Sequence, residues 1–209
     1  LPLHIECFDN SNIQGTHPVA AMVVFQHGKP AKKEYRHFNI KTVVGPDDFA
    51  SMREIVTRRY KRLLEENQKL PDLIVIDGGK GQLGAAVAAL QELGIYGQIP
   101  IIGIAKRLEE IYFPEDSYPI HISKQSPSLK LLQQIRNEAH RFAITFHRDK
   151  RSKTSLKSEL ETIPGVGEKT ITTLLQYFGS VQNVKEASLE ALASQVGNKR
   201  AMQLKEHLK

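Results

Sequence analysis

The chain reads as an α/β domain built on a mixed sheet, followed by a small all-α domain. Three observations predict this. Short apolar runs alternate with longer stretches of helical spacing through the first part of the chain. One run, Leu73 to Ile76, is β-branched and uninterrupted, as suits a strand covered on both faces, and it ends on Asp77 before a glycine loop. Beyond Arg148 the strand signals stop, and Ser158 to Lys209 carries only helix and glycine-turn signals.

The elements follow in order. Leu3 to Phe8 is expected as a strand ending at Asp9, with Asn10, Ser11, Asn12 and Gly15 as turn material. Val19 to Gln26 and Lys33 to Ile40 are the next two strands, so the first three should form an antiparallel meander on short turns. Gly45-Pro46-Asp47-Asp48 opens a helix reaching about Asn67, with one Asp as its cap. Met52, Ile55, Val56, Tyr60, Leu63 and Leu64 recur on one face of it. Arg53, Arg58, Arg59, Lys61 and Arg62 crowd the same helix, and two readings stand: a solvated charged face or a stripe facing phosphate.

The strand ending at Asp77 comes next, then a small-residue helix from Lys80 to Leu93 and a short strand from Ile99 to Ala105. This β-α-β order makes the two strands parallel, joined right-handed. Ile111 to Phe113 and Tyr118 to Ile122 read as a small hairpin. A long helix runs from Ser128 to about His147, with Leu129, Leu132, Ile135, Ala139, Phe142, Ala143 and Phe146 apolar. The predicted organisation is a domain over 1–150, a basic linker over 151–157 that can also touch phosphate, and a helical domain over 158–209.

A formal charge of +6 favours a polyanionic partner, although ribosomal or membrane-surface binding fits the same number. The single cysteine, Cys7, excludes an intrachain disulfide and a cysteine-cluster zinc site, and its apolar strand makes it a buried hydrophobe. No apolar run approaches the ~20 residues of a membrane span. The chain opens on a strand with no basic leader, and without an initiator Met it reads as a fragment. The expected compartment is the reducing cytoplasm.

Strand, strand, strand, helix, strand, helix, strand, late helix is the order of the ribonuclease H fold. Its first and fourth strands lie side by side, which would bring Asp9 next to Asp77. Two adjacent carboxylates repel unless a cation bridges them, and oxygen ligands favour a hard dication, Mg²⁺ or Mn²⁺. Such ions support phosphodiester hydrolysis. His140, on the late helix, reads either as a boundary histidine or as a ligand or acid/base group. It is preferred to Glu138, two residues earlier and therefore on a different side of the helix. Asp48 is a helix cap or an accessory acid.

In the tail, Ile163-Pro164-Gly165-Val166-Gly167-Glu168-Lys169-Thr170 sits between helices and is echoed by Gln195-Val196-Gly197-Asn198-Lys199. Glycine turns at helix starts present backbone N–H groups to phosphate. Gly165, Val166, Gly167, Lys169, Thr170, Gly197 and Lys199 are thus the candidate DNA contacts, independent of base sequence. Gly78-Gly79-Lys80-Gly81 lacks P-loop spacing and reads as a structural turn, with Lys80 a candidate phosphate contact.

Phe-Asp-Asn-Ser-Asn-Ile-Gln-Gly, Gly-Pro-Asp-Asp-Phe-Ala-Ser-Met-Arg, Ile-Asp-Gly-Gly-Lys-Gly-Gln-Leu and Ile-Arg-Asn-Glu-Ala-His-Arg-Phe-Ala occur here in that order. They closely resemble the C-terminal half of the UvrC family, the incision subunits of bacterial nucleotide excision repair. The resemblance implies a ribonuclease H-like endonuclease domain followed by a tandem helix-hairpin-helix domain. It implies an Asp-Asp-His site on Asp9, Asp77 and His140, with Asp48 as a further family Asp. It also implies incision 5′ to a lesion in double-stranded damaged DNA, and UvrB as partner with UvrA acting upstream. The family's 3′-cutting nuclease and UvrB-binding segment lie N-terminal to the matched stretch. Two alternatives remain at this stage: a non-catalytic DNA-binding scaffold, and a structure-specific junction nuclease of the same fold.

Overall fold

The computed structural model describes residues 1–11, 19–43, 45, 47–105 and 110–208; only backbone is described at Ser11, Val19, 146–159, Glu161 and Val181. The turn expected around Asn12 and Gly15, Pro46, and the side chains of Phe146 and of the basic run 148–157 lie outside the described residues. The chain forms two compact units, Leu1–His147 and Arg148–Lys209, each described by itself.

In the first unit, β1 (His4–Ser11) pairs antiparallel with β2 (Val19–Gln26) and parallel with β5 (Leu73–Asp77), which pairs parallel with β6 (Ile101–Ala105). The antiparallel strand β7 (Glu110–Tyr112) closes that edge, and Ile111 exchanges two backbone hydrogen bonds with Ile120, giving the expected hairpin in minimal form. On the other edge the single third strand is corrected. It divides into β3 (Lys29–Pro30) and β4 (Arg36–Asn39), both pairing with β2, around a 3₁₀ turn at Lys32–Glu34. Proline lacks the N–H a longer ladder needs. β1 runs two residues beyond Asp9, so Asn10 and Ser11 are strand rather than turn.

Helices α1 (Asp48–Glu65) and α2 (Lys80–Glu92) cover one face of the sheet, and the stretch from Leu129 to Phe142 of α3 (Pro127–Glu161) covers the other. Asp47 caps α1, its Oδ1 accepting from Phe49 N–H and Ala50 N–H at 3.0 and 2.9 Å. Met52, Ile55, Val56, Tyr60 and Leu63 are buried as expected, but Leu64, one step round the helix, is 40% exposed. Phe8, Ile74 and Ile76 fill the core under α1 and α2, while Ile5, Cys7 and Val75 fill the core under α3 with Leu129, Ile135 and Ala139. Residues 151–157 fall within α3, so the expected linker is helical backbone.

The crowded cations of α1 are all paired. Arg58 bonds Glu54, Arg62 bonds Glu66 and Lys61 faces Glu65, each four residues apart. Arg53 pairs with Glu92 of α2, and Arg59 with Glu6 of β1. The phosphate-stripe reading of this helix is therefore dropped.

The second unit packs α4 (Glu168–Phe178), α5 (Val181–Glu186), α6 (Leu189–Val196) and α7 (Asn198–His207) around Leu160, Ile163, Leu174, Leu192 and Leu204. Among the described residues, no helix is long and apolar enough to cross a membrane.

Candidate active site

Strand alternation builds the site. Asp9 lies two residues beyond Cys7, and Asp77 two beyond Val75, so both carboxylates emerge on the α3 side of the sheet. Their level is set at the other end of the strands. There the Asp72 carboxylate accepts from Leu3 N–H and His4 N–H, and Asp72 N–H donates to the His4 carbonyl. Five residues on, the parallel register places Asp9 directly beside Asp77. α3 lays Ala139 into the same core, and the next residue, His140, reaches the rim.

Asp9, Asp77 and His140 each offer one ligand atom, and these atoms lie within 4.8 Å of one another. His140 Nδ1 is 3.1 Å from Asp9 Oδ2. Asp9 is only 4% exposed, while Asp77 and His140 are half-buried. The Cys7 thiol beneath them registers their charge. Burial pushes its pKa well up, and Asp77 and Asp9 push it further, against the opposing Arg136. Two carboxylate oxygens and an imidazole nitrogen at this spacing fit a hard divalent cation.

Asp48 stands outside that cluster of three. Its carboxyl is raised by partial burial, then by Asp47 and by Asp9, so it is within electrostatic reach of the site. Glu138 is engaged elsewhere, accepting from Arg141 at 2.7 and 2.8 Å and from the Tyr35 hydroxyl at 3.2 Å. Lys80 is exposed at the start of α2. Two neighbours were given no place at the site by the sequence reading. Asn10 is buried and its Nδ2 donates to the Asp48 carbonyl at 2.9 Å, tying β1 to α1 beside the site. Arg136, the i−4 neighbour of His140 in the sequence but given no role there, is buried one helical turn before it.

In the second unit, Gly165 and Gly197 take the left-handed φ values +81° and +83° that a tight turn between helices requires. Gly167 and Gly197 precede α4 and α7 without a side-chain cap, leaving backbone donors at both helix starts. Gly165, Gly167, Lys169, Gly197 and Lys199 are exposed. Val166 and Thr170 are largely buried, and both line a surface concavity at this turn. Arg200, not anticipated, joins the Gly165–Lys169 loop in lining that concavity.

Residues 1–144 match the UvrC RNase H endonuclease domain, and residues 157–209 match a SAM-like helix-hairpin-helix tandem. The UvrABC system protein C of Flavobacterium johnsoniae is 64% identical over 203 residues, covering 97% of this chain and 34% of that protein. The corresponding protein of Porphyromonas gingivalis is 59% identical over 208 residues, covering 100% and 35%. The chain thus spans about a third of the length of these relatives. Among solved structures, endonuclease V of Ciona intestinalis, in complex with a 24mer DNA containing an inosine, aligns at 20% identity with a TM-score of 0.36, over 64% of this chain and 56% of that one.

Proposed function

This chain belongs to the UvrC RNase H endonuclease domain family, and on that premise we propose that it is a divalent-metal-dependent DNA endonuclease that makes the incision 5′ to a lesion in nucleotide excision repair. The convergence of Asp9, Asp77 and His140 carries the reading. These three residues hold Mg²⁺ or Mn²⁺. Once bound, such an ion activates water and stabilises the attacking and leaving oxygens of a phosphodiester. Buried Asp9 and half-buried Asp77 present fixed negative oxygens on rigid strands. His140, against Asp9, completes the ligand set or serves as the acid/base group beside it. Asp48 adds negative potential at the edge of the site without joining it.

The helix-hairpin-helix unit grips the phosphate backbone through the turns at Gly165–Lys169 and Gly197–Lys199, with Lys80 as a contact near the site. The partner is damaged duplex DNA, presented by UvrB after UvrA, in the cytoplasm. The test is nicking of a 5′-labelled lesion duplex by the purified chain. The cut should map 5′ to the lesion, require added Mg²⁺ or Mn²⁺, and vanish with chelation; cutting that persists in chelator excludes the metal reading. A second expectation concerns the grip. Replacing Lys169 and Lys199 together by Ala should reduce the slope of log affinity against log salt by about two, read by anisotropy across a salt series. An unchanged slope would remove both lysines from the interface.

A further inference from the structure

We propose that Phe49 is a stacking platform for an unpaired nucleobase beside the cleavage site, an inference that rests on the nuclease reading above. Phe49 is a large apolar side chain left 56% exposed. Its place is defined from three sides. Asp47 Oδ1 accepts its backbone N–H, fixing it at the start of α1. The preceding residue, Asp48, is held by Asn10, the neighbour of Asp9. The ring itself rests on Gly81, where an added Cβ would come 2.6 Å from Phe49 Cε1 and 2.7 Å from Cζ.

Gly81 is the more telling partner. It sits in the first turn of α2, two residues past the N-cap Gly79. Its φ is not in the left-handed region, so the backbone does not require glycine there. A Cβ there would meet the ring, which would have to move aside. The ring is thereby placed between the start of α1, which Asn10 of β1 holds, and the start of α2, which follows β5; β1 and β5 carry Asp9 and Asp77. An aromatic face in that place suits a base, because every base has a π-face and stacking tolerates any sequence. It suits an unpaired base, because those of an intact duplex are stacked on each other. The ring carries no charge, so phosphate is not its ligand, while exposed Lys80 next to Gly81 supplies the cation that a strand's backbone needs. Phe49 is a positioning residue: it would hold the strand so that the scissile phosphate reaches the acidic site.

The natural chain contains no tryptophan, so Phe49→Trp introduces a single fluorescent reporter. Two duplexes carrying the same internal bubble are compared, one with bases in the bubble and one with abasic residues there. Without metal, the bubble bases should quench the indole fluorescence of this variant and the abasic bubble should not, although anisotropy reports binding of both. Phe49→Ala should weaken binding roughly tenfold on the bubble with bases and little on the abasic one. Gly81→Ala, which displaces the ring without removing it, should reproduce that selective loss. Equal losses on both substrates, or no quenching, overturn the proposal and leave Phe49 as a brace between helices. The nuclease reading is judged separately: a wild-type chain that binds both duplexes but never nicks with Mn²⁺ sinks that reading, whereas stacking is still decided by quenching.

Discussion

Asp77→Asn should lower the nicking rate by on the order of a thousandfold or more, since several kcal/mol of charge stabilisation depend on the ion its carboxylate helps to hold. The substitution is isosteric and lies at a strand end, so the fold and the helix-hairpin-helix unit should be untouched. DNA affinity should therefore stay within about threefold of wild type, because the phosphate grip is supplied elsewhere. Calorimetric Mn²⁺ titration gives a readout that needs no substrate, and binding to the wild-type chain should be lost or sharply weakened in the variant. Asp9→Asn should behave alike. Asp48→Asn should cost far less, because Asp48 lies outside the cluster of three ligand atoms. If Asp77→Asn nicks at the native rate, the site assignment is wrong; if it fails to bind DNA as well, the residue is structural.

Glu6→Ala should destabilise the first unit by about 3–5 kcal/mol, the cost of removing one partner from a buried ion pair. Glu6 is fully buried on the α1 face of β1, accepting from Arg59 Nη2 at 2.5 Å, Arg59 Nε at 3.2 Å and the Tyr60 hydroxyl at 3.0 Å. His4 Nε2 stands 3.5 Å away, at ion-pair rather than hydrogen-bond distance. Truncation leaves the Arg59 guanidinium and the Tyr60 hydroxyl in the interior without their acceptor. Urea unfolding monitored by far-UV circular dichroism measures the loss. A Glu6→Leu, Arg59→Met double variant should recover much of it, since the cost lies in the orphaned charge. Burial raises the Glu6 carboxyl, but the contacts of His4 and Arg59 outweigh this and hold it below the ordinary carboxylate value. Its contribution is therefore complete above the unfolded pKa and is lost as pH falls through the lower folded pKa. Glu6→Gln should flatten the acid limb of the stability profile. An acid limb as steep as wild type would assign that pH dependence to other carboxylates.

These two carboxylates show how differently the chain could be read. Asp77 was legible because it ends an apolar run before a glycine loop, and Asp9 because it ends the first strand. Glu6 lies inside that same strand and was passed over, since nothing local announces a partner 53 positions away. The cations of α1 divide in the same way. The pairs Arg58–Glu54, Lys61–Glu65 and Arg62–Glu66 follow from helical spacing, whereas Arg59–Glu6 and Arg53–Glu92 need the sheet and two helices in place. Leu64 went astray for a related reason: a stripe drawn from spacing has no sharp edge, and only packing against the sheet buries Leu63 while leaving its neighbour half in water.

By itself the sequence determined the succession of strands and helices apart from the divided third strand, the capped start of α1, and the helical tail with its two glycine turns. These rest on hydrophobic period, turn chemistry and capping, which act over a few residues. Only the tertiary structure decided that Asp9 and Asp77 stand in register, that His140 closes on them, that the arginines of α1 are already neutralised, and that the ring of Phe49 lies on Gly81. Register, burial and long-range charge pairing depend on which surfaces meet, and that is settled by the whole packed sheet and its helices rather than by any one segment.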